Sequence, residues 1–221
     1  ESTDGIHWDK PNLGLVEFEG SRKNNILSVN TPHNSVINMS VLLDLNAPLN
    51  DRYKMVGRND TREVDTLDGF LSADGLQWRE ADNPILSHGG EFKAQNNLIW
   101  DDEQEVYLVL SSLHSGDYGG IHAFRWIQSR DFNNWPDRFN ENNRALEPDA
   151  NDPNPFRLYT PSAFKYYRAA RVFIMLLSVM YPDRRYDPEQ DMGLGDIQLA
   201  TSRDGTNWER RFREAWIRPG L

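Results

Sequence analysis

The sequence predicts an all-β chain folded as a bladed β-propeller. Three observations predict it. One short turn motif occurs four times, the copies are a blade apart, and each interval between them holds three strand-sized runs with no convincing amphipathic helix.

The motif is S-x-D-G-x-x-W. It reads Ser2-Thr3-Asp4-Gly5-Ile6-His7-Trp8, then Ser72-Ala73-Asp74-Gly75-Leu76-Gln77-Trp78, then Ser202-Arg203-Asp204-Gly205-Thr206-Asn207-Trp208. Ser129-Arg130-Asp131-Phe132-Asn133-Asn134-Trp135 matches it except for Phe132 at the glycine position. Successive serines are 70, 57 and 73 residues apart. The pattern suits a hairpin corner: Asp accepts from the following backbone N–H groups, Gly takes the positive-φ position, and Trp opens the next strand. These residues read as structural, an Asp-box-like repeat with no chemistry of its own.

The strands follow in order. Ser40–Leu45, Arg52–Gly57 and Gly69–Ser72 precede the second turn. Asn97–Trp100, Glu105–Ser111 and Ile121–Ser129 precede the third; Ser162–Tyr167, Arg171–Tyr181 and Asp196–Ser202 precede the fourth. Turn formers bound them, among them Asn46-Ala47-Pro48, Asp101-Asp102-Glu103 and Pro182-Asp183. The reading is one domain over 1–221, with units near 1–20 (partial), 34–83, 92–146 and 156–216. That is three whole four-stranded blades plus the last strand of a preceding one. Three blades do not close a ring, so a larger propeller is expected, beginning upstream of Glu1.

Composition excludes several classes of function. Charged residues are 26% and hydrophobic residues 38%, a globular balance. Seven Trp, eight Tyr and ten Phe suit packed sheets. A net charge of −10 without a Lys/Arg cluster argues against nucleic acid and anionic membranes as partners. There is no cysteine, hence no disulfide, thiolate metal site or cysteine nucleophile. The longest apolar run, Val172–Tyr181, is strand-sized, so no membrane span is expected.

Candidate chemistry follows from propeller geometry, in which ligand sites lie near the axis where the inner strands start. Those positions are Asn38 to Ser40, Gln95 to Asn97, and Tyr159 to Thr160, polar where inner strands are otherwise apolar. They read either as a hydrogen-bonding funnel for a sugar or as solvated strand ends. The loops of that face carry Asp65, Asp68, Glu91, Asp117, Asp187, Glu189, Asp191 and Asp196. Glycosidic cleavage needs two carboxyl groups, one protonated and one acting as nucleophile or base. Asp196 opens a third strand and is the first candidate, with Asp65 the second; each read alone is a solvated loop acid. His33, His88, His114 and His122 show no metal-ligand spacing, and neither metal nor cofactor is expected.

These turns resemble those of five-bladed propeller glycoside hydrolases of the family 32 and 43 superfamily, and in particular an uncharacterised bacterial family 32-like group. Asp4-Gly5-Ile6-His7-Trp8, Lys23-Asn24-Asn25-Ile26, Arg52-Tyr53-Lys54, Phe92 to Trp100, Leu158-Tyr159-Thr160, Tyr166-Tyr167-Arg168-Ala169 and Ala215-Trp216-Ile217-Arg218-Pro219-Gly220 carry the resemblance. It implies five blades, an axial sugar pocket with acids from several blades, and often export to the extracellular or periplasmic space. The chain departs from the pattern in three places. The family's first catalytic aspartate belongs to a strand not in this sequence. Lys93 stands where relatives have Asp. Tyr159-Thr160-Pro161 replaces the Glu-Gly-Pro acid motif. The family's usual carboxylate set is therefore not assembled by these residues; the expectation is a glycosidase whose acids come from elsewhere, Asp196 and Asp65, with Asn38, Lys93, Gln95, Asn96, Tyr159, Thr160 and Arg125 as polar clamps on carbohydrate. The alternatives are a non-catalytic carbohydrate-binding propeller, which Lys93 favours, and a protein-interaction propeller without sugar.

Overall fold

The computed structural model describes residues 1–31, 35–59, 65–88, 92, 94–114, 122–136, 142–185, 189 and 193–219. Among them there is no α-helix, only one 3-10 turn at Leu49–Asp51. The strands form three sheets. β1 (Ser28–Val29), β2 (Ile37–Leu43), β3 (Tyr53–Asn59), β4 (Thr66–Ser72) and β5 (Gln77–His88) make the first, ordered β1-β5-β4-β3-β2. β6 (Asn97–Asp101), β7 (Val106–His114), β8 (His122–Ser129) and β9 (Arg144–Leu146) make the second in chain order. β10 (Arg157–Thr160), β11 (Ala163–Lys165), β12 (Phe173–Tyr181), β13 (Leu194–Ser202) and β14 (Trp208–Glu209) make the third, in which β10 and β11 share the edge of β12. All pairs are antiparallel except β1 with β5. This is a propeller-like arrangement of up-and-down sheets, with β2, β6 and β11 as neighbouring inner strands.

Apolar residues alternating along these strands face the neighbouring sheets. Val56, Leu71, Leu98, Val109 and Ile127 fill the layer between the first two sheets. Leu110, Phe124, Leu158, Phe173, Met175 and Leu177 fill the layer between the second and third. Burying one such side chain contributes about 1.5–3 kcal/mol, so these layers fix how the sheets stack.

The three glycine-containing turns share one hydrogen-bond set. In the turn after β13, Asp204 N and Gly205 N donate to Ser202 Oγ at 3.2 and 2.9 Å, and Thr206 N and Asn207 N donate to Asp204 Oδ1 at 2.9 and 2.8 Å. Trp208 Nε1 then donates to Gly205 O at 2.8 Å. The turns at Asp4 and Asp74 repeat these bonds. Phe132 does without positive φ: Trp135 Nε1 donates to Phe132 O at 2.7 Å, and the Phe132 ring is buried in the first layer. Gly5 and Gly205 have φ of 74° and 76°, a region that costs a residue with a Cβ about 1–2 kcal/mol. A Cβ on Gly5 would meet nothing within 4 Å, whereas one on Gly205 would lie 2.6 Å from Leu108 Cδ2. Gly205→Ala is therefore expected to lower stability measurably more than Gly5→Ala in urea titrations, by about 1–3 kcal/mol of added overpacking.

The same bonds make the turns acid-sensitive. Burial pushes the Asp204 carboxyl up, but the Asn207 and Thr206 donors outweigh it and hold it well below the usual carboxylate range. The Gln77 and Leu76 backbone donors lower Asp74 in the same way. A carboxyl lowered on folding stabilises the fold above its unfolded value of 3.8, and this contribution is lost as pH falls through the folded value. The urea midpoint is thus expected to drop below about pH 4, less steeply in Asp204→Asn, which no longer titrates.

Three elements differ from the sequence reading. Trp8 heads no strand and is 71% exposed, because no strand lies beside it among the described residues. The outer strand of the second sheet is β9, which starts nine residues beyond Trp135, whose ring closes its own turn instead. The inner strand of the third sheet is split into β10 and β11 at Pro161, which has no N–H for the ladder.

Candidate functional site

The upper face is where the inner strands start, and its polar residues join the sheets. Inner strands that fan from an axis leave backbone N–H groups without a ladder partner, and short polar side chains can accept from them. Leu98 N donates to Ser40 Oγ at 3.0 Å, and Ala163 N to Asn97 Oδ1 at 3.1 Å, the same stitch at equivalent places. Asn38, at φ 54° in a bulge of β2, donates from Nδ2 to Phe92 O at 3.2 Å. Asn96 Nδ2 donates to Asn38 O at 3.1 Å, and its Oδ1 accepts from Ser111 Oγ at 2.7 Å. Asn96 is fully buried, so it positions the strand starts and reaches a ligand only through its neighbours. Gln95 Oε1 accepts from Ser162 Oγ at 3.0 Å, and Gln95 is half-buried. Tyr159 and Thr160 are half-buried at the start of the third sheet's inner strand.

A second polar set appears when the sheets are aligned on the serine of each turn. The residue four places earlier is Asp68, Arg125 or Gln198, and all three are buried. Asp68 Oδ2 accepts from Asn59 Nδ2 at 2.8 Å. The Arg125 guanidinium lies 5.0 Å from the Phe92 ring centroid, and burial, aided by Arg144, lowers its pKa to about 10. Gln198 accepts from Arg210 at 2.9 Å and donates to Tyr181 Oη at 3.0 Å. The reading from sequence had Asp68 and Arg125 but not Gln198. The signal was available, since a polar residue inside a buried third strand recurs at one fixed distance from the turn.

The two leading carboxylates stand in different sheets. Asp65 pairs with Arg58 of β3, with Oδ1 2.7 Å from a terminal guanidinium nitrogen. Asp196 lies near the start of β13, two strands out from the inner strand and so off the axis. Burial raises its pKa above the ordinary carboxylate value; the Tyr181 hydroxyl, the Gln198 amide and the Arg184 and Arg210 charges act in the opposite direction and do not cancel it. Its Oδ1 is buried with no hydrogen-bond partner among the described residues. Asp196 lines a 290 Å³ pocket with Tyr181, Arg184, Gly195, Arg218 and Pro219. That is the lower end of the usual range for small-ligand sites, the size for one sugar ring rather than an oligosaccharide. A carboxyl group that burial makes a weaker acid than a solvated one, beside a tyrosine and guanidinium groups, can serve as a general acid.

Lys93, Glu91, Asp117, Asp187, Asp191 and His33 lie outside the described residues. Glu189 is exposed. Among the described residues, no three His, Asp or Glu side chains gather as a metal site, and no helix is long and apolar enough to cross a membrane.

No protein-family model and no curated protein matches the chain. Solved structures do. An N-acetylgalactosamine deacetylase from F. plautii, in complex with blood group B trisaccharide, is 14% identical with a TM-score of 0.57, over 80% of this chain and 52% of that one. A structure described as a glycoside hydrolase is 12% identical with a TM-score of 0.54, over 83% and 57%. A family 32 β-fructofuranosidase from Bombyx mori is 14% identical with a TM-score of 0.50, over 71% and 31%. At these identities the likeness is one of fold. The chain spans about half the length of the first two.

Proposed function

We propose that this chain belongs to a glycoside hydrolase-like propeller that hydrolyses glycosidic bonds of an oligo- or polysaccharide, with Asp196 as the general acid. The observation that carries the reading is Asp196, whose carboxyl group is raised in pKa by burial and which lines a sugar-sized pocket on the upper face. Tyr181 and Gln198 orient it, and Arg184 and Arg218 supply donors for hydroxyl groups. Asp65 remains the proposed second carboxylate, with Gln95, Lys93, Tyr159, Thr160 and Arg125 as clamps on the ligand. The fold shared with carbohydrate-active proteins supports the substrate class.

One observation favours a second reading, a propeller that binds sugar without cutting it. Asp65 and Asp196 stand in different sheets and share no partner among the described residues. Cleavage requires the two carboxyl groups roughly 5–9.5 Å apart. Incubating the full-length protein with a panel of neutral oligosaccharides separates the readings. Product release that is lost in Asp196→Asn supports the hydrolase. Binding without release in the parent supports the sugar-binding propeller and removes the hydrolase.

A further inference from the structure

The inner strands end on the lower face, beside the S-x-D turns, and a second cavity lies at their exits. It is 600 Å³, about twice the volume of the pocket at Asp196. All three sheets contribute: Leu43 and Leu45 from the first, Trp100, Asp102 and Glu103 from the second, and Tyr166 and Tyr167 from the third. Tyr167 is 81% exposed, with its ring 5.6 Å from that of Tyr166. Two tilted rings at the rim of a cavity form a platform for the C–H face of a flat ligand.

The charges of this wall are already matched. Lys165 Nζ bonds Asp101 at 2.7 Å and also bonds Asp102. Arg171 Nε lies 3.3 Å from Glu103, and Lys54 Nζ lies 3.5 Å from Asp44. The carboxylates are therefore held in place and are not sites awaiting a cation. What the wall still offers is acceptor oxygens on Asp102, whose side chain is 70% exposed, beside the exposed Tyr167 ring and the aliphatic groups of Leu43 and Leu45. The Trp100 indole Nε1 adds a buried donor with no acceptor among the described residues. Fixed acceptors beside exposed rings, in a near-neutral wall, match a ligand with hydroxyl groups on its edge and apolar faces.

We propose that this lower mouth is a second binding site, for a neutral saccharide, on the face opposite the Asp196 pocket. It holds a chain without cutting it, because its carboxylates are tied to Lys165 and Arg171. The site does not depend on hydrolysis at Asp196.

Calorimetry on the full-length protein carrying Asp196→Asn tests this, so that no ligand is consumed. The probes are maltohexaose, cellohexaose, xylohexaose, arabinohexaose and mannohexaose. Binding of at least one, weakened about tenfold or more by Tyr167→Ala with Asp102→Asn, is the expected result. Both positions are exposed, so the variant is expected to fold, and circular dichroism checks that. Binding that the double variant leaves unchanged, or no binding of any probe, overturns the site. Tetramethylammonium bound and then lost in the same variant overturns the saccharide assignment in favour of a cation.

Discussion

Replacing Asp152 by alanine is expected to remove about 3–5 kcal/mol of stability, a large share of what a chain of this size has. The Arg210 and Asp152 side chains are ion-paired and only 1% and 4% exposed. Arg213 adds a second bond to Asp152 at 2.7 Å, and Gln198 accepts from Arg210 at 2.9 Å. The network ties the segment before β10 to the segment after β14, and so closes the two ends of the third sheet on each other. Without Asp152 a buried guanidinium keeps one amide oxygen and the Phe156 ring, 4.9 Å away, as partners. Its desolvation is then uncompensated. Asp149, which pairs with Arg213 from a side chain 49% exposed, is the control. Asp149→Ala is expected to cost no more than about 1 kcal/mol, since solvent screens an exposed pair. Urea titrations of the two variants read the difference, and equal losses would mean that the buried pair does not hold the sheet.

Asp196→Asn is expected to have the largest effect on activity, a fall in kcat of about 10²–10⁴-fold. It is also expected to leave stability unchanged or raise it. The folded pKa of Asp196 lies above its unfolded value of 3.8, so its contribution is full below that value and is lost as pH rises through the folded pKa. An amide at this place has no such loss. A dead enzyme that is as stable as the parent at neutral pH would separate lost chemistry from lost fold. Asp65→Asn breaks the pair with Arg58 and gives the comparison for the second carboxylate.

The parts of this fold legible in the sequence are those held by local bonds. Each S-x-D-G-x-x-W turn closes within seven residues, so residue types at fixed offsets report it completely. The second strands were legible for a different reason: Phe173–Tyr181 is a continuous apolar run, buried on the face of Phe173, Met175, Leu177 and Val179 and half-buried at Ile174 and Leu176 on the other. Pairing between distant segments was not legible. Trp135 promised an outer strand, yet Arg144–Leu146 took that place by pairing with β8. The polar strand starts pointed to a ligand, and the structure gives Asn38, Asn96 and Asn97 bonds between sheets that no local pattern encodes. At Asp196 the sequence held the position, the opening of a third strand. Its raised pKa depends on burial beside Tyr181 and Gln198, which only the folded arrangement supplies.

The pH dependence of kcat/KM for oligosaccharide hydrolysis, in the full-length parent and in Asp196→Asn, shows whether Asp196 is the general acid. A general acid must carry its proton, so the parent's rate is expected to fall as pH rises through the raised pKa of Asp196. This limb is expected to be absent from whatever activity Asp196→Asn retains. A limb of the same shape and position in both proteins would rule out Asp196 as the general acid and assign the proton to another group.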